Sequence, residues 1–374
     1  MREIMIIAGE ASGDLHGGAL AERLRAIAPD RALVGIGGQR MAAAGVELLE
    51  RVDNLAVMGF VEVLAHIPKH WALLRTLRER MQSGRVGLLV LIDYPGFNLK
   101  LASAAKDAGV PVLYFITPQV WAWGAGRLTK MAQVVTRAAP ILPFEEKLLR
   151  DHGIDASFVG HPLLDRAQNL PTREQARASL GLAPDRPVLA LFPGSREQEI
   201  VRHLEDFVAT GREMERRVAG LQIVVSVAAT IDIDPARCPF PMVRGASFPV
   251  LRAADAAMCK SGTTTLEAAV AGTPLVVAYR TSGWTYRIAR RLVKIPHIGL
   301  VNVVAGREVA PEFVQGALKP GPVADVLERL LDPASPERAG MLDGLAAVRG
   351  SLGTAGAAGR VAALARELAG RSPA

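Results

Sequence analysis

The chain has 374 residues and a formal net charge of +7; half of its residues are hydrophobic and 22% are charged. That balance excludes a disordered or collagen-like chain and fits two or three folded domains of roughly 150 residues each. Two cysteines, Cys238 and Cys259, exclude a disulfide framework, and neither sits in a C-x-x-C pair, so a reducing compartment without a zinc ribbon is expected.

Ile4–Ala8 is a short apolar run ending at Gly9, too short for a signal peptide, and Leu15–Leu24 has helical spacing. The order is strand, loop, helix. The junction Gly9-Glu10-Ala11-Ser12-Gly13-Asp14-Leu15-His16 has two readings. Either it lines a cleft and holds an acceptor substrate, or it is a turn with Asp14 as helix cap. Leu33–Ile36 reads as the next strand. Gly35-Ile36-Gly37-Gly38 lacks the third glycine of a dinucleotide fingerprint, because Arg40 stands there, and no G-x-x-x-x-G-K-[ST] loop occurs. Nicotinamide and P-loop chemistry lose their usual support.

Met58–Met81 mixes Trp, Leu, Ile and basic residues, and Pro68 predicts a break into two helices. The segment reads as core packing or as an apolar, basic-rimmed surface for a lipid. Lys69, His70, Arg75, Arg78 and Arg80 lie close together, as do Arg287, Arg290, Arg291 and Lys294. A basic surface suits phosphorylated substrates or an anionic leaflet. Aromatic residues make up 5% of the chain with no stacking pattern, so nucleic acid is not expected. No apolar run approaches the roughly 18–20 residues of a membrane span.

Leu88–Ile92 is a strand, and Asp93 follows it where a strand delivers a side chain to a cleft. A carboxylate there can take a proton from an attacking hydroxyl; the alternative is an Asx-turn or cap before Pro95. Val110–Phe115 and Ala139–Leu142 are further strands, with helical stretches near 60–82, 98–108 and 124–136. Apolar strands alternating with helices imply a parallel sheet covered on both faces.

The pattern pauses at Gly160-His161-Pro162 and restarts with Val188–Phe192 and a helix from Glu197 to about Arg217. Between them, Pro193-Gly194-Ser195-Arg196 suits an anion: glycine for close approach, a hydroxyl on Ser195, a helix start, and the donor fork of Arg196. A plain strand–helix turn with a capping serine fits equally. Leu221–Ala228, Ala256–Cys259 and Leu275–Tyr279 continue the series. After Lys260, the run Ser261-Gly262-Thr263-Thr264 opens a helix and suits a diphosphate, and Glu267 one turn on suits ribose hydroxyls. A capping box is the alternative. Asp232-Ile233-Asp234 precedes a proline and has no further ligands near it, so it reads as a surface turn and no metal is expected.

The predicted fold is therefore α/β, two doubly wound Rossmann-like halves facing across a cleft. The limits are 1–165 for the N-terminal half and 166–351 for the C-terminal half. The final helix, about 352–374, either caps the second half or packs back on the first.

Taken together, Ala8–Asp14, Ile92–Asn98, Thr117–Trp123, Leu142–Glu145, Phe158–Pro162, Phe192–Glu199, Ser261–Glu267 and Asn302–Gln315 resemble the lipid-A-disaccharide synthase family, glycosyltransferases of GT-B architecture. The resemblance runs through nearly the whole chain. Gly96 replaces the second acid of the family's D-x-P-D-F-N motif, so that acid's role does not carry over. Val301 stands where a proline is usual, and Phe192 where a leucine is.

The resemblance implies transfer from UDP-2,3-diacylglucosamine to 2,3-diacylglucosamine 1-phosphate (lipid X). The products would be a tetraacyl disaccharide 1-phosphate and UDP, with inversion and without cofactor or metal. It also implies peripheral contact with the cytoplasmic face of the inner membrane. Asp93 is the expected base and Arg196 the expected stabiliser of the departing phosphate. Ser195, Ser261, Gly262, Thr263, Thr264, Glu267, Asn302 and Gln315 fall on the donor side. Glu10, Ser12, Gly13, Asp14 and His16 fall on the acceptor side, with Asp14, His16 and Glu10 as alternative bases. The competing readings are another GT-B enzyme on UDP-N-acetylglucosamine, transferring to a polyprenyl-linked acceptor or epimerising, and a non-catalytic sugar-nucleotide-binding module. The oligomeric state, including a homodimer, stays open.

Overall fold

A computed structural model describes residues 2–54, 60–121, 126–283, 286–287 and 296–370, with backbone alone over 60–68. The described chain forms two compact units. The first comprises Met1–Asp165 and Gly353–Ala374, the second Arg166–Leu352.

Unit 1 opens with β1 (Glu3–Ala8), α1 (Ala11–Ile27), β2 (Leu33–Gly37), α2 (Gln39–Ala43), β3 (Glu47–Arg51) and α3 (Phe60–Gln82). It continues with β4 (Val86–Ile92), α4 (Pro95–Asp107), β5 (Val112–Phe115), α5 (Gly126–Val134), β6 (Arg137–Ala139), α6 (Pro143–Asp151) and α7 (Leu163–Arg166), which runs into the junction. The strands form one sheet in the order β3-β2-β1-β4-β5-β6, every pair parallel.

Both faces of this sheet are covered, which is why its central strands are apolar at successive positions rather than at alternate ones. Met5, Ile7, Leu89 and Leu91 pack with Leu77 and Met81 of α3 and Leu101 and Ala105 of α4. The intervening Ile4, Ile6, Leu88 and Val90 pack on the other face with Leu20 and Leu24 of α1. Val361, Ala365 and Leu368 of the final helix join that second layer.

Unit 2 runs through α8 (Arg173–Ser179), β7 (Val188–Phe192), α9 (Glu197–Arg217), β8 (Gln222–Val227), β9 (Met242–Arg244), α10 (Ser247–Ala253), β10 (Ala256–Lys260) and α11 (Thr263–Ala271). It then adds β11 (Leu275–Tyr279), α12 (Leu300–Ala305), β12 (Glu312–Val314), α13 (Pro320–Leu331) and α14 (Pro336–Ser351). Its sheet order, β12-β11-β10-β7-β8-β9, repeats the winding of unit 1, again all parallel. The last helix, α15 (Ala357–Gly370), belongs to unit 1.

Two expectations change. The predicted strand Ala139–Leu142 is β6, Arg137–Ala139. Pro140 has no N–H to extend a ladder, and Leu142-Pro143 opens α6 instead. The helix expected to break at Pro68 runs unbroken from Phe60 to Gln82. The proline ring's fixed φ is compatible with a helix, so one missing hydrogen bond does not end it.

The basic group of α3 is largely neutralised. Arg80 forks onto Glu3 at 2.8 and 2.9 Å, and Lys69, Arg75 and Arg78 lie 3.7–3.9 Å from Glu50, Glu79 and Asp107. Residues 58 and 59 of the Met58–Met81 segment, together with Arg290, Arg291 and Lys294, lie outside the described residues. Among the described residues, no helix is long and apolar enough to cross a membrane.

Candidate functional site

In an open parallel sheet, ligands gather beyond the carboxyl ends of strands where the winding reverses. That point lies between β1 and β4 in unit 1 and between β7 and β10 in unit 2. The loops that leave these four strands carry Glu10, Asp93, Ser195-Arg196 and Ser261-Gly262, and Lys260 is the last residue of β10.

In unit 2, β7 ends at Phe192 and the chain turns through Gly194 at φ 147°. A Cβ on Gly194 would stand 2.6 Å from the Cβ of Glu199, so only glycine fits this turn. The Glu199 carboxylate gathers the site: Oε2 accepts the Ser195 N–H at 2.9 Å and Oε1 accepts from Lys260 Nζ at 2.8 Å. Arg196 Nη1 lies 3.9 Å from the same oxygen and is largely exposed. Burial pushes the Glu199 carboxyl up, but Lys260, the Ser195 amide and Arg196 outweigh it and hold the group below the ordinary range. Two cations thus face one carboxylate.

Lys260 Nζ also lies 3.6 Å from where a Cβ on Gly262 would stand, beside the first turn of α11. Free N–H groups at that turn and the two cations make an anion-favouring surface. Thr263 there is exposed and Thr264 half-buried. Burial pulls His203 down; its Nδ1 donates to the Glu199 carbonyl at 2.7 Å, and its Nε2 accepts the Arg280 N–H at 2.9 Å.

The other residues expected on the donor side are engaged within unit 2. Ser261 Oγ donates to the Ile298 carbonyl at 2.7 Å, so it has lone pairs but no proton to offer a phosphate. Asn302 is fully buried: Nδ2 donates to Ala310 O and Glu312 Oε1, and Oδ1 accepts from Val309 N and Ala310 N. Glu312 in turn accepts the Ile298 and Gly299 N–H groups, so Asn302 braces the loop that Ser261 holds. Gln315, at φ 54°, donates to Thr281 O at 3.1 Å. Glu267 is 7% exposed and its Oε1 accepts from Arg166 Nη1 at 2.9 Å.

In unit 1, β1 leads into exposed Glu10 and Ser12, and buried Gly13 packs on Ala8. Asp14 is 6% exposed, and its two oxygens take the N–H groups of Gly38, Arg40 and Met41 at 2.6–3.0 Å. It braces the start of α2. His16 is half-buried with its ring edge toward Phe115, 6.2 Å between centroids. Burial, with His16 nearby, holds His161 down at about 3, and its Nδ1 accepts the Leu163 N–H.

β4 delivers Asp93, half-buried, at φ 47°, followed by Tyr94 at φ 48°. Ile116, directly after neighbouring β5, stands at φ 56°. Left-handed backbone costs a non-glycine residue about 1–3 kcal/mol and collects at functional sites. The Tyr94 ring covers Gly9 so closely that a Cβ there would stand 2.2 Å from the ring. Its hydroxyl lies 3.3 Å from His70 Nε2, and burial and Glu10 push it up. The loops after β1 and β4 are therefore joined, bringing Glu10, Tyr94 and Asp93 to one end of the sheet.

Glu145, 3% exposed, accepts from Trp121 Nε1 at 3.0 Å and from the Leu142 N–H at 3.2 Å. Burial, with Asp93 adding to it, pushes its carboxyl to about 7. The Ala122-Trp123 part of the VWAW run lies outside the described residues.

Sequence reasoning assigned no role to Lys260, Tyr94 or Glu145. A signal existed for Lys260, the sole charge at the end of the apolar strand AAMCK. Asp234 accepts the Ala236 N–H and Asp232 pairs with Arg244, so both acids of the D-x-D triplet serve their own turn.

The family model for lipid-A-disaccharide synthetase matches residues 4–336. The lipid-A-disaccharide synthase of Myxococcus xanthus is 42% identical over 372 residues, covering 98% of this chain and 97% of its own. That of Trichlorobacter lovleyi is 43% identical over 370 residues, covering 97% and 96%. Among solved structures, a UDP-GlcNAc 2-epimerase from Neisseria meningitidis bound to UDP-GlcNAc aligns with TM-score 0.63 at 10% identity, over 98% of this chain and 99% of that one. The calicheamicin glycosyltransferase aligns over 100% of both chains with TM-score 0.58 at 16% identity. Those structural likenesses carry the fold, two Rossmann-like domains of GT-B type, while the full-length sequence matches carry more: the chain belongs to the lipid-A-disaccharide synthase family, glycosyltransferases of lipid A biosynthesis.

Proposed function

We propose that the enzyme transfers diacylglucosamine from its UDP carrier to diacylglucosamine 1-phosphate by one inverting displacement. Unit 2 takes the donor. The observation that carries this is the pairing of Arg196 and Lys260 around Glu199 at the winding reversal of unit 2, beside the first turn of α11. As the bond from the anomeric carbon to the UDP oxygen breaks, negative charge grows on the diphosphate. Arg196, Lys260 and the α11 N–H groups supply fixed positive charge where it develops. Glu267, held by Arg166, receives the ribose hydroxyls.

Unit 1 takes the acceptor. Asp93 removes the proton of the attacking hydroxyl as the new bond to the anomeric carbon forms. The three amides around Asp14 support a bracing role for it, and Glu10 and His16 line the acceptor side. Trp71 on α3 is 58% exposed with the Lys100 ammonium 5.0 Å from its ring centroid. An exposed aromatic beside a lysine suits the water–lipid boundary, which supports acyl-chain reception and peripheral membrane contact along α3.

The test is mass spectrometry of the product from UDP-2,3-diacylglucosamine and lipid X, with and without EDTA. The tetraacyl disaccharide 1-phosphate should form at the same rate in both. Turnover of unacylated UDP-N-acetylglucosamine alone would overturn the assignment, and loss of product in EDTA would overturn the metal-free arrangement.

A further inference from the structure

We infer that Asn98 and Tyr114 are positioning residues for the reaction: together they clamp the main-chain carbonyl of Asp93 and so fix the direction in which its carboxylate is presented. The inference rests on the reading of Asp93 as the base.

The backbone here is under unusual constraint. Among the described residues four non-glycine residues have positive φ, and three of them, Asp93, Tyr94 and Ile116, stand at the ends of neighbouring strands β4 and β5. A left-handed aspartate relaxes toward ordinary backbone unless its peptide groups are held. They are held on both sides. The Asp93 N–H donates to the carbonyls of Phe115 and Ile116 at 3.3 and 3.2 Å. The Asp93 carbonyl accepts from Asn98 Nδ2 at 2.7 Å and from Tyr114 Oη at 2.8 Å.

Both donors come from inside the protein. Asn98 and Tyr114 are each 0% exposed. The orientation of the Asn98 amide follows from its surroundings, since Nδ2 also faces the Ile92 carbonyl at 3.2 Å. Its Oδ1 is buried with no partner. An amide that leaves an oxygen unsatisfied is costly in a core, where leucine of similar volume would carry no such cost. What the amide adds is the second donor on the Asp93 carbonyl. Tyr114 follows the same logic: phenylalanine would fill the space, and only the hydroxyl reaches Asp93. Burial, and Asp93 beside it, push the Tyr114 phenol far up, so it remains a proton donor across the working range.

The geometry of attack is sensitive to small errors, since displacement of a reacting group by about 1 Å can cost on the order of 100-fold. Tyr114→Phe and Asn98→Ser each remove one donor with little change of volume or with a small cavity. Each should lower kcat by on the order of 10- to 100-fold while UDP affinity, measured calorimetrically, stays within about twofold. The readout that a merely structural role would not move is a double-mutant cycle with Asp93→Ala. If the two side chains act through Asp93, Tyr114→Phe has no further effect on kcat once Asp93 is alanine. Multiplicative losses in that background would overturn the inference, as would wild-type kcat in both single variants. Should Asp93→Ala itself keep wild-type kcat, the reading of Asp93 as base falls, an outcome separate from failure of the clamp. Circular dichroism of Tyr114→Phe checks folding, and Asn98→Ser, at a different site of the clamp, carries the test if that variant misfolds.

Discussion

Asp14, in the first turn of α1, and Asp93, directly after β4, both follow a strand of unit 1, and the sequence offers each as a local cap or as a base. Their partners separate them. Three backbone N–H groups close around Asp14, whereas Asp93 holds a strained position at the strand end. Asp14→Ala leaves those donors unsatisfied and should cost about 3 kcal/mol of stability, read as a lower melting temperature, with kcat per folded molecule within about threefold of wild type. Unchanged melting with lost turnover would return Asp14 to the chemistry. Glu145 is a third acid with a different signature. Burial raises its folded-state value from 4.5 to about 7. Its stabilising contribution is therefore complete below about pH 4.5 and is lost as pH rises through 7. Glutamine mimics the protonated form, so Glu145→Gln should gain melting temperature relative to wild type between pH 5 and pH 8. A pH-independent difference would contradict the assignment.

At the scale of elements, the central strands were legible because strands buried on both faces are written as unbroken apolar runs. β7 and β11 match their predicted limits, and α9 begins and ends where its pattern does. The edge strands escaped. β3 (ELLER), β9 (MVR) and β12 (EFV) are short, half-exposed and partly charged, so neither period nor composition marks them. The loops at the winding reversals were legible as strand–glycine–helix junctions. The side chains inside them were less so. Asn302 and Gln315 came from resemblance, which carries a residue's position but not whether it meets a ligand or braces a loop; here Asn302 bonds to the main chain of Val309 and Ala310 and Gln315 to that of Thr281. α15 was ambiguous because its apolar stripe fits any apolar partner. It packs in unit 1, where Val361, Ala362, Ala365 and Leu368 are at most 1% exposed, and Arg360 Nε reaches the Val159 carbonyl at 2.9 Å. Deleting residues 353–374 should destabilise unit 1 by about 3–6 kcal/mol, seen in denaturant melts, while UDP affinity stays within about threefold. An unchanged melt would contradict this docking.

For the whole molecule, one winding pattern used twice places two different sets of charged side chains at the carboxyl ends of two parallel sheets. In unit 2 the loops after β7 and β10 concentrate positive charge around Glu199; in unit 1 the loops after β1 and β4 present acids. The proposed reaction needs both, because a departing diphosphate must be stabilised and an incoming hydroxyl deprotonated in the same displacement. Charge and base are thus separable by mutation. The direct measurement is UDP binding by calorimetry alongside turnover of UDP-diacylglucosamine and lipid X in Asp93→Asn and Lys260→Met. Asp93→Asn should bind UDP within about twofold of wild type and lose on the order of 10²–10⁴-fold in kcat, whereas Lys260→Met should weaken UDP binding and turnover together. Turnover of Asp93→Asn within threefold of wild type, or its loss together with UDP binding, would contradict the division of labour.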